Sequence, residues 1–223
     1  MALPEVVSRD EWFAARLPLL AKEKEHSRVR DALHAERRSL PMFLVDQDYS
    51  FDTPEGKRSL LELFDGRRQL IIYHFMLPSV TGGSFCLGCS FWIDNMPHHL
   101  EHLHARDTSL AVDCPVPLAD FVEHKERMGW TVPVASSLGN SFYDDFNFEL
   151  VPGATKIPGI SVFLRGDDDE VYCTYSTAFR GTDLVNNTYN YLDLTFLGRQ
   201  EDDLPFKWAW LRYHDEYETE PIP

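Results

Sequence analysis

Apolar residues fall along this chain in short runs separated by polar turns, and the longest run, Leu70-Ile71-Ile72-Tyr73-His74-Phe75-Met76-Leu77, is nearly continuous. A run of that kind fits a central strand covered on both faces, here Gln69 to Leu77. Before it come two extended pieces, Met42-Phe43-Leu44-Val45 and Tyr49-Ser50-Phe51, then a turn at Pro54-Glu55-Gly56 and a short helix capped by Ser59 and ending at Phe64. After it, the pattern predicts a helix from Ser90 to about His104, kinked or restarted at Pro97, and a strand from Ser109 to Cys114. A helix from Leu118 to Met128 and a strand from Thr131 to Ala135 follow. Alternation of strands and helices in this order implies an α/β sheet with crossovers.

Further on, Gly159-Ile160-Ser161-Val162-Phe163-Leu164 and Val171-Tyr172-Cys173-Thr174-Tyr175 flank the acidic turn Gly166-Asp167-Asp168-Asp169 and read as an antiparallel hairpin. The tail, Leu184 to Tyr217, holds an amphipathic stretch around Tyr189 to Phe196 and the aromatic residues Trp208, Trp210, Tyr213 and Tyr217. The two tryptophans read as anchors that dock the segment. At the other end, Ser8-Arg9-Asp10-Glu11 is a capping box that opens a helix, and the run Lys22-Glu23-Lys24-Glu25 carries helical composition towards Arg38, with a break or restart expected at Pro18.

At 223 residues, and without a repeat or composition shift, the chain reads as one elaborated domain: a helical arm over 1–40, a core over 41–183 and an extension over 184–223. A formal net charge of -15 opposes nucleic acid or an anionic membrane surface as partner, since both need a basic footprint. No apolar run reaches a membrane span, and the start lacks the basic and apolar regions of a secretion signal, so a cytoplasmic location is expected. A charged helical arm and an aromatic tail would suit a homodimer.

Composition changes little else, but Phe85-Cys86-Leu87-Gly88-Cys89-Ser90 directly follows the central strand. Two thiols spaced Cys-x-x-Cys where a strand gives way to a helix can form a reversible disulfide, the first sulfur being activated by the helix N-terminus. On this reading Cys86 attacks and Cys89 resolves. Four cysteines are too few for a disulfide scaffold, and Cys114 and Cys173 read as small core residues. A metal site is the chemical rival, because His98, His99, His102 and His104 follow and His98 would share a helical face with His102; no second Cys-x-x-Cys exists to complete it. An inert buried pair is the remaining alternative. His74 either points over the site to support a thiolate or is a hydrogen-bonded core residue. Arg180 either supplies positive charge or pairs with a carboxylate, and Trp92 is core or a substrate platform. No phosphate-cradling glycine loop is present, so no nucleotide cofactor is expected, and no metal.

A βαβ unit followed by a helix and a hairpin, with Cys-x-x-Cys at the first strand-to-helix turn, resembles the thioredoxin fold. Longer phrases are more specific: Tyr73-His74-Phe75-Met76, Cys86-Leu87-Gly88-Cys89-Ser90-Phe91-Trp92, Tyr175-Ser176-Thr177-Ala178-Phe179-Arg180-Gly181, Leu192-Asp193-Leu194-Thr195-Phe196-Leu197-Gly198-Arg199 and His214-Asp215-Glu216-Tyr217. Together, over nearly the whole chain, they resemble the thioredoxin-like family of predicted dithiol-disulfide oxidoreductases called domain of unknown function 899. The resemblance implies a thioredoxin-like three-layer α/β sandwich with N-terminal helical and C-terminal extensions. It also implies a cis-proline at Pro158, facing Cys86 and shaping the surface that receives a protein or small-molecule thiol or disulfide. Leu87-Gly88 departs from the Gly-Pro of thioredoxin, and Gly83 stands where peroxiredoxins keep a threonine, with Thr81 and Ser84 nearby. The missing threonine tells against a thiol peroxidase, which stands with a binding module without turnover as an alternative to the oxidoreductase.

Overall fold

The computed structural model describes residues 3–146, 150 and 156–217. It has two compact units, Met1–Pro41 and Met42–Pro223. The first is one helix, α1 (Arg9–Arg38), opened by the expected capping box: Ser8 Oγ accepts from the Glu11 N–H, and the Glu11 carboxylate accepts from the Ser8 N–H. The expected break at Pro18 is absent, since the helix runs through it. Proline removes one backbone bond there, and the Ala-, Leu-, Glu- and Arg-rich sequence on both sides, with ion pairs Arg16–Glu23 and Arg28–Glu25, maintains the rest.

In the second unit β1 (Phe43–Leu44) is followed by the hairpin β2 (Ser50–Thr53) and β3 (Gly56–Ser59) and a 3-10 turn at Glu62–Phe64. Then come β4 (Gln69–His74), α2 (Leu87–Asp94), α3 (Glu101–His104), β5 (Thr108–Asp113), α4 (Leu118–Arg127), β6 (Val134–Ala135) and α5 (Phe142–Asp145). β7 (Gly159–Arg165), β8 (Val171–Ala178), a 3-10 segment at Phe179–Val185 and α6 (Asn187–Leu192) follow, before the tail. Six strands form one sheet in the order β1-β8-β7-β4-β5-β6. β4 runs parallel to β5 and antiparallel to β7, and β7 and β8 form the expected antiparallel hairpin. This is the thioredoxin-like α/β arrangement that the resemblance implies, with the apolar run at its centre.

β4 is apolar from Leu70 to Tyr73 because it is covered twice. Tyr73 and, just beyond the strand, Phe75 enter a core on one face with Phe91, Trp92, Val112, Phe121 and Trp130; Leu70 and Ile72 enter a second core on the other face with Phe51, Phe64, Phe142 and Phe163. Cys114 belongs to the first core and Cys173 to the second. The helix expected from Ser90 to His104 is two helices, with the chain from Asn95 to Leu100 between them, since Pro97 lacks the N–H that a helix interior needs. His98 therefore lies before α3 and His102 within it, so the two do not share a helical face. Among the described residues no helix is long and apolar enough to cross a membrane.

Phe163 is fully buried, with its ring 5.0 Å from Phe146 and 6.1 Å from Phe142. Phe163→Ala is expected to lower unfolding free energy by about 3–5 kcal/mol, through lost transfer energy and the cavity left behind, read as a lower urea midpoint at unchanged slope.

Candidate active site

The segment leaving β4 reverses through a loop in which Gly82 and Gly83 take φ of 79° and 101°, backbone geometry that L side chains adopt only with strain. It then enters α2, whose N-cap is Cys86 with an extended backbone. A helix start leaves backbone N–H groups without intrahelical partners, and here a sulfur takes one. The Cys89 N–H donates to Cys86 Sγ over 3.2 Å. Both cysteines are free and buried, Cys86 7% exposed and Cys89 fully enclosed.

Their environments push the two thiols apart. A hydrogen bond from the Cys89 thiol, aided by the N–H groups of Cys89 and Gly88, holds the Cys86 pKa below that of an ordinary thiol although burial opposes it. Burial raises Cys89 well above the ordinary value, and its neighbour Cys86 raises it further. The Met76 N–H, 3.3 Å from Cys89 Sγ, and the Tyr73 hydroxyl oppose that rise. One sulfur is thus prepared to be a thiolate and the other held as a thiol, the division of labour that a dithiol exchange requires.

A mostly apolar cavity of about 400 Å³ opens beside Cys86. Its walls come from α2 and its cap (Cys86, Leu87, Gly88, Trp92), from Ile157 and Pro158, from Phe179, and from the tail between Phe206 and Arg212. The tail is fixed by polar contacts at several points. Tyr189 and Trp210 both donate to the Glu201 carboxylate, at 2.9 and 2.8 Å, and Arg127 holds Asp215 through two bonds of 2.9 Å. The Tyr213 hydroxyl donates to the carbonyl of Phe85, the residue before Cys86, at 2.5 Å.

The structure brings together Cys86, Cys89, Trp92 and Pro158, and it separates His74 and Arg180 from them. Trp92 is buried and donates through its indole N–H to the Thr182 carbonyl at 3.3 Å, yet also lines the cavity. Pro158 lines the same cavity, but no peptide bond among the described residues is cis, which corrects the expectation of a cis-proline. The trans form is the lower-energy isomer before proline, and Pro158 reaches the cavity without departing from it. His74 faces away: its Nε2 is 2.9 Å from Ser161 Oγ and its Nδ1 3.9 Å from Asp113, in the layer beneath the sheet. Strand alternation sends Tyr73 to the thiols and His74 to the other face. Arg180 is 67% exposed and paired with Asp183 at 3.2 Å.

Sequence reasoning missed Tyr73, Phe179, Arg212 and His124, and read Trp208 only as an anchor. The period-two pattern of β4 carries the signal for Tyr73; nothing local marks the others, which reach the site through tertiary packing. Trp210 is an anchor, its ring 5.6 Å from Phe91, whereas Trp208 forms part of the cavity wall. Among the described residues no three His, Cys, Asp or Glu side chains converge into a metal cluster.

Comparison with known proteins adds a family. A family model described as "Bacterial protein of unknown function (DUF899)" matches residues 1–217. A search of curated proteins gave no match. Among solved structures, a reduced 2-Cys peroxiredoxin from Plasmodium vivax aligns at 14% identity and a TM-score of 0.44, covering 69% of this chain and 93% of that one. A putative thiol:disulfide interchange protein DsbE from Chlorobium tepidum aligns at 13% identity and a TM-score of 0.40, covering 61% and 85%. The mitochondrial 2-Cys peroxiredoxin from Plasmodium falciparum aligns at 10% identity and a TM-score of 0.42, covering 66% and 90%.

His124 gives a pH test of this packing. Its ring stacks on Phe85 with centroids 4.3 Å apart, and burial, with the nearby Arg127 charge, lowers its pKa from 6.5 to about 4. The folded state therefore binds fewer protons than the unfolded one in that window, and stability falls as pH falls from about 6.5 to about 4. Urea unfolding at about pH 7 and about pH 5 should show a smaller pH-dependent loss in His124→Gln than in the parent; equal losses would mean that His124 is not held neutral.

Proposed function

Because the chain belongs to this bacterial family of unknown function, its activity has to be argued from its own site, and we propose that it is a dithiol-disulfide oxidoreductase in which Cys86 attacks and Cys89 resolves. The observation that carries this reading is the opposed tuning of two thiols three residues apart: Cys86 is stabilised as thiolate at the cap of α2, on the wall of an open cavity, and Cys89 is kept protonated behind it.

The Cys86 thiolate attacks one sulfur of a disulfide, forming a mixed disulfide and releasing the other half as a thiolate. That step removes the negative charge at Cys86, one of the causes that hold Cys89 as a thiol. The Met76 N–H and the Tyr73 hydroxyl remain to favour a Cys89 thiolate, so resolution is assisted once the mixed disulfide exists. Cys89 then attacks Cys86 Sγ and expels the second half of the substrate. Trp92 and Pro158 bound the space in which the mixed disulfide sits, and in this reading the partner is a thiol or disulfide compound needing no bound cofactor. His74 and Arg180 take no part, one beneath the sheet and the other paired at the surface.

Cys86→Ser should abolish disulfide reduction driven by dithiothreitol, and Cys89→Ser should stop at a mixed disulfide visible by mass. Alkylation of the reduced protein by iodoacetamide should label Cys86 with a midpoint below that of a free thiol, about 8.5, because only the deprotonated form reacts. Full turnover by Cys86→Ser, or a Cys86 midpoint at or above the free-thiol value, would defeat the assignment.

A further inference from the structure

Building on that reading of the cysteines, we propose that the cavity beside Cys86 is the substrate site, and that it takes small organic disulfides whose sulfur carries an apolar, preferably aromatic, body with a carboxylate. Its volume of about 400 Å³ lies within the roughly 300–1,000 Å³ typical of small-molecule sites. The wall is apolar over most of its area, with Trp92, Pro158, Phe179, Trp208 and Leu211 around the Cys86 sulfur. A ligand body that leaves water for such a surface gains in proportion to its own apolar area.

Two further observations point to a built site. Phe179 and Trp208 both stand on the wall, and both hold positive φ, at 49° and 75°. Left-handed backbone at a bulky aromatic residue is costly, and such outliers concentrate at ligand clamps and active sites. Here the two unfavourable backbones place two rings on one cavity. The second observation is charge. Arg212 lies on the same wall, with its Nη1 donating to the Leu211 carbonyl at 2.7 Å and no ion pair to a described carboxylate. Arg127, Arg180 and Arg199 are all paired with aspartates, so Arg212 is the guanidinium of this region available to an incoming anion.

The exchange balances with these parts. The Cys86 thiolate bonds to one substrate sulfur as the substrate S–S bond breaks, and the first half leaves as a thiolate with the bonding electron pair. Cys89 loses its proton and bonds to Cys86 Sγ, and the second half leaves in the same way. Two electrons pass from the protein dithiol to the substrate disulfide, and an external dithiol, dithiothreitol in the assay, reduces the protein again.

The test measures stopped-flow reduction of three disulfides by the full-length reduced protein: dithiobis(nitrobenzoate), aromatic with a carboxylate on each half; dithiodipyridine, aromatic and uncharged; and hydroxyethyl disulfide, small and hydrophilic. Each rate is normalised to iodoacetamide alkylation of Cys86 in the same variant, which removes changes in the thiol itself. Trp208→Ala and Phe206→Ala should lower the rates of both aromatic disulfides relative to hydroxyethyl disulfide by about tenfold, the scale on which apolar pockets discriminate. Phe206 is 66% exposed, so its replacement reports on the cavity even if loss of Trp208 disturbs the fold. Arg212→Gln should lower the ratio of the nitrobenzoate to the pyridine rate by a similar factor. Ratios insensitive to all three changes would overturn the cavity as substrate site while leaving the exchange chemistry standing. Reaction of Cys86 with every probe no faster than free cysteine would instead remove the exchange reading and this proposal with it.

Discussion

The hydrogen bond from the Cys89 N–H to the Cys86 sulfur is the constraint around which this site is organised. It closes the first turn of α2, which fixes where the sulfur sits relative to the sheet, and it is one of the contacts that favour the thiolate. A conventional cap oxygen in this position would satisfy the same N–H group but would carry no redox chemistry. Local structure and reactivity therefore share this contact, and the remainder of the unit holds that helix start against β4.

The tail is part of the site as well as its cover. Tyr213 bonds the Phe85 carbonyl immediately before Cys86, and the adjoining residues Trp208 to Arg212 complete the cavity wall. What keeps this irregular segment in place is a set of buried or bidentate polar contacts: Tyr189 and Trp210 on Glu201, Arg199 on Asp183 and Asp193, Arg127 on Asp215. Charge-assisted bonds with defined geometry specify position in a way that apolar packing alone does not. A segment with so little regular structure needs them, because few of its backbone groups are satisfied by a helix or strand ladder.

The sheet and the cysteine pair were legible because their signals are local. A doubly buried strand announces itself in eight successive residues, and the Cys-x-x-Cys lies at the helix start that follows it. The resemblance, not any spacing in the chain, set Pro158 opposite Cys86, and the cis isomer it implied is trans here, because the isomer depends on the contacts of the folded loop. His74 and Arg180 were ambiguous for a reason that alternation partly resolves: with Tyr73 on the thiol face, His74 must face the opposite core. Arg180 has no such rule, and its pairing with Asp183 emerges only when the 3-10 segment winds. Trp208, Phe179 and Arg212 meet Cys86 from sequence positions far away, so no spacing in the chain encodes their convergence.

The electrostatics of the site explain how a chain of net charge -15 can favour a thiolate at all. The groups that lower the Cys86 pKa are a thiol and two backbone N–H groups, which are dipoles at contact distance rather than a neighbouring cation. Dipoles that close, in a partly desolvated pocket, act strongly on the adjacent sulfur and fade quickly with distance, whereas the carboxylates that dominate the net charge are spread over solvated surface where salt screens them.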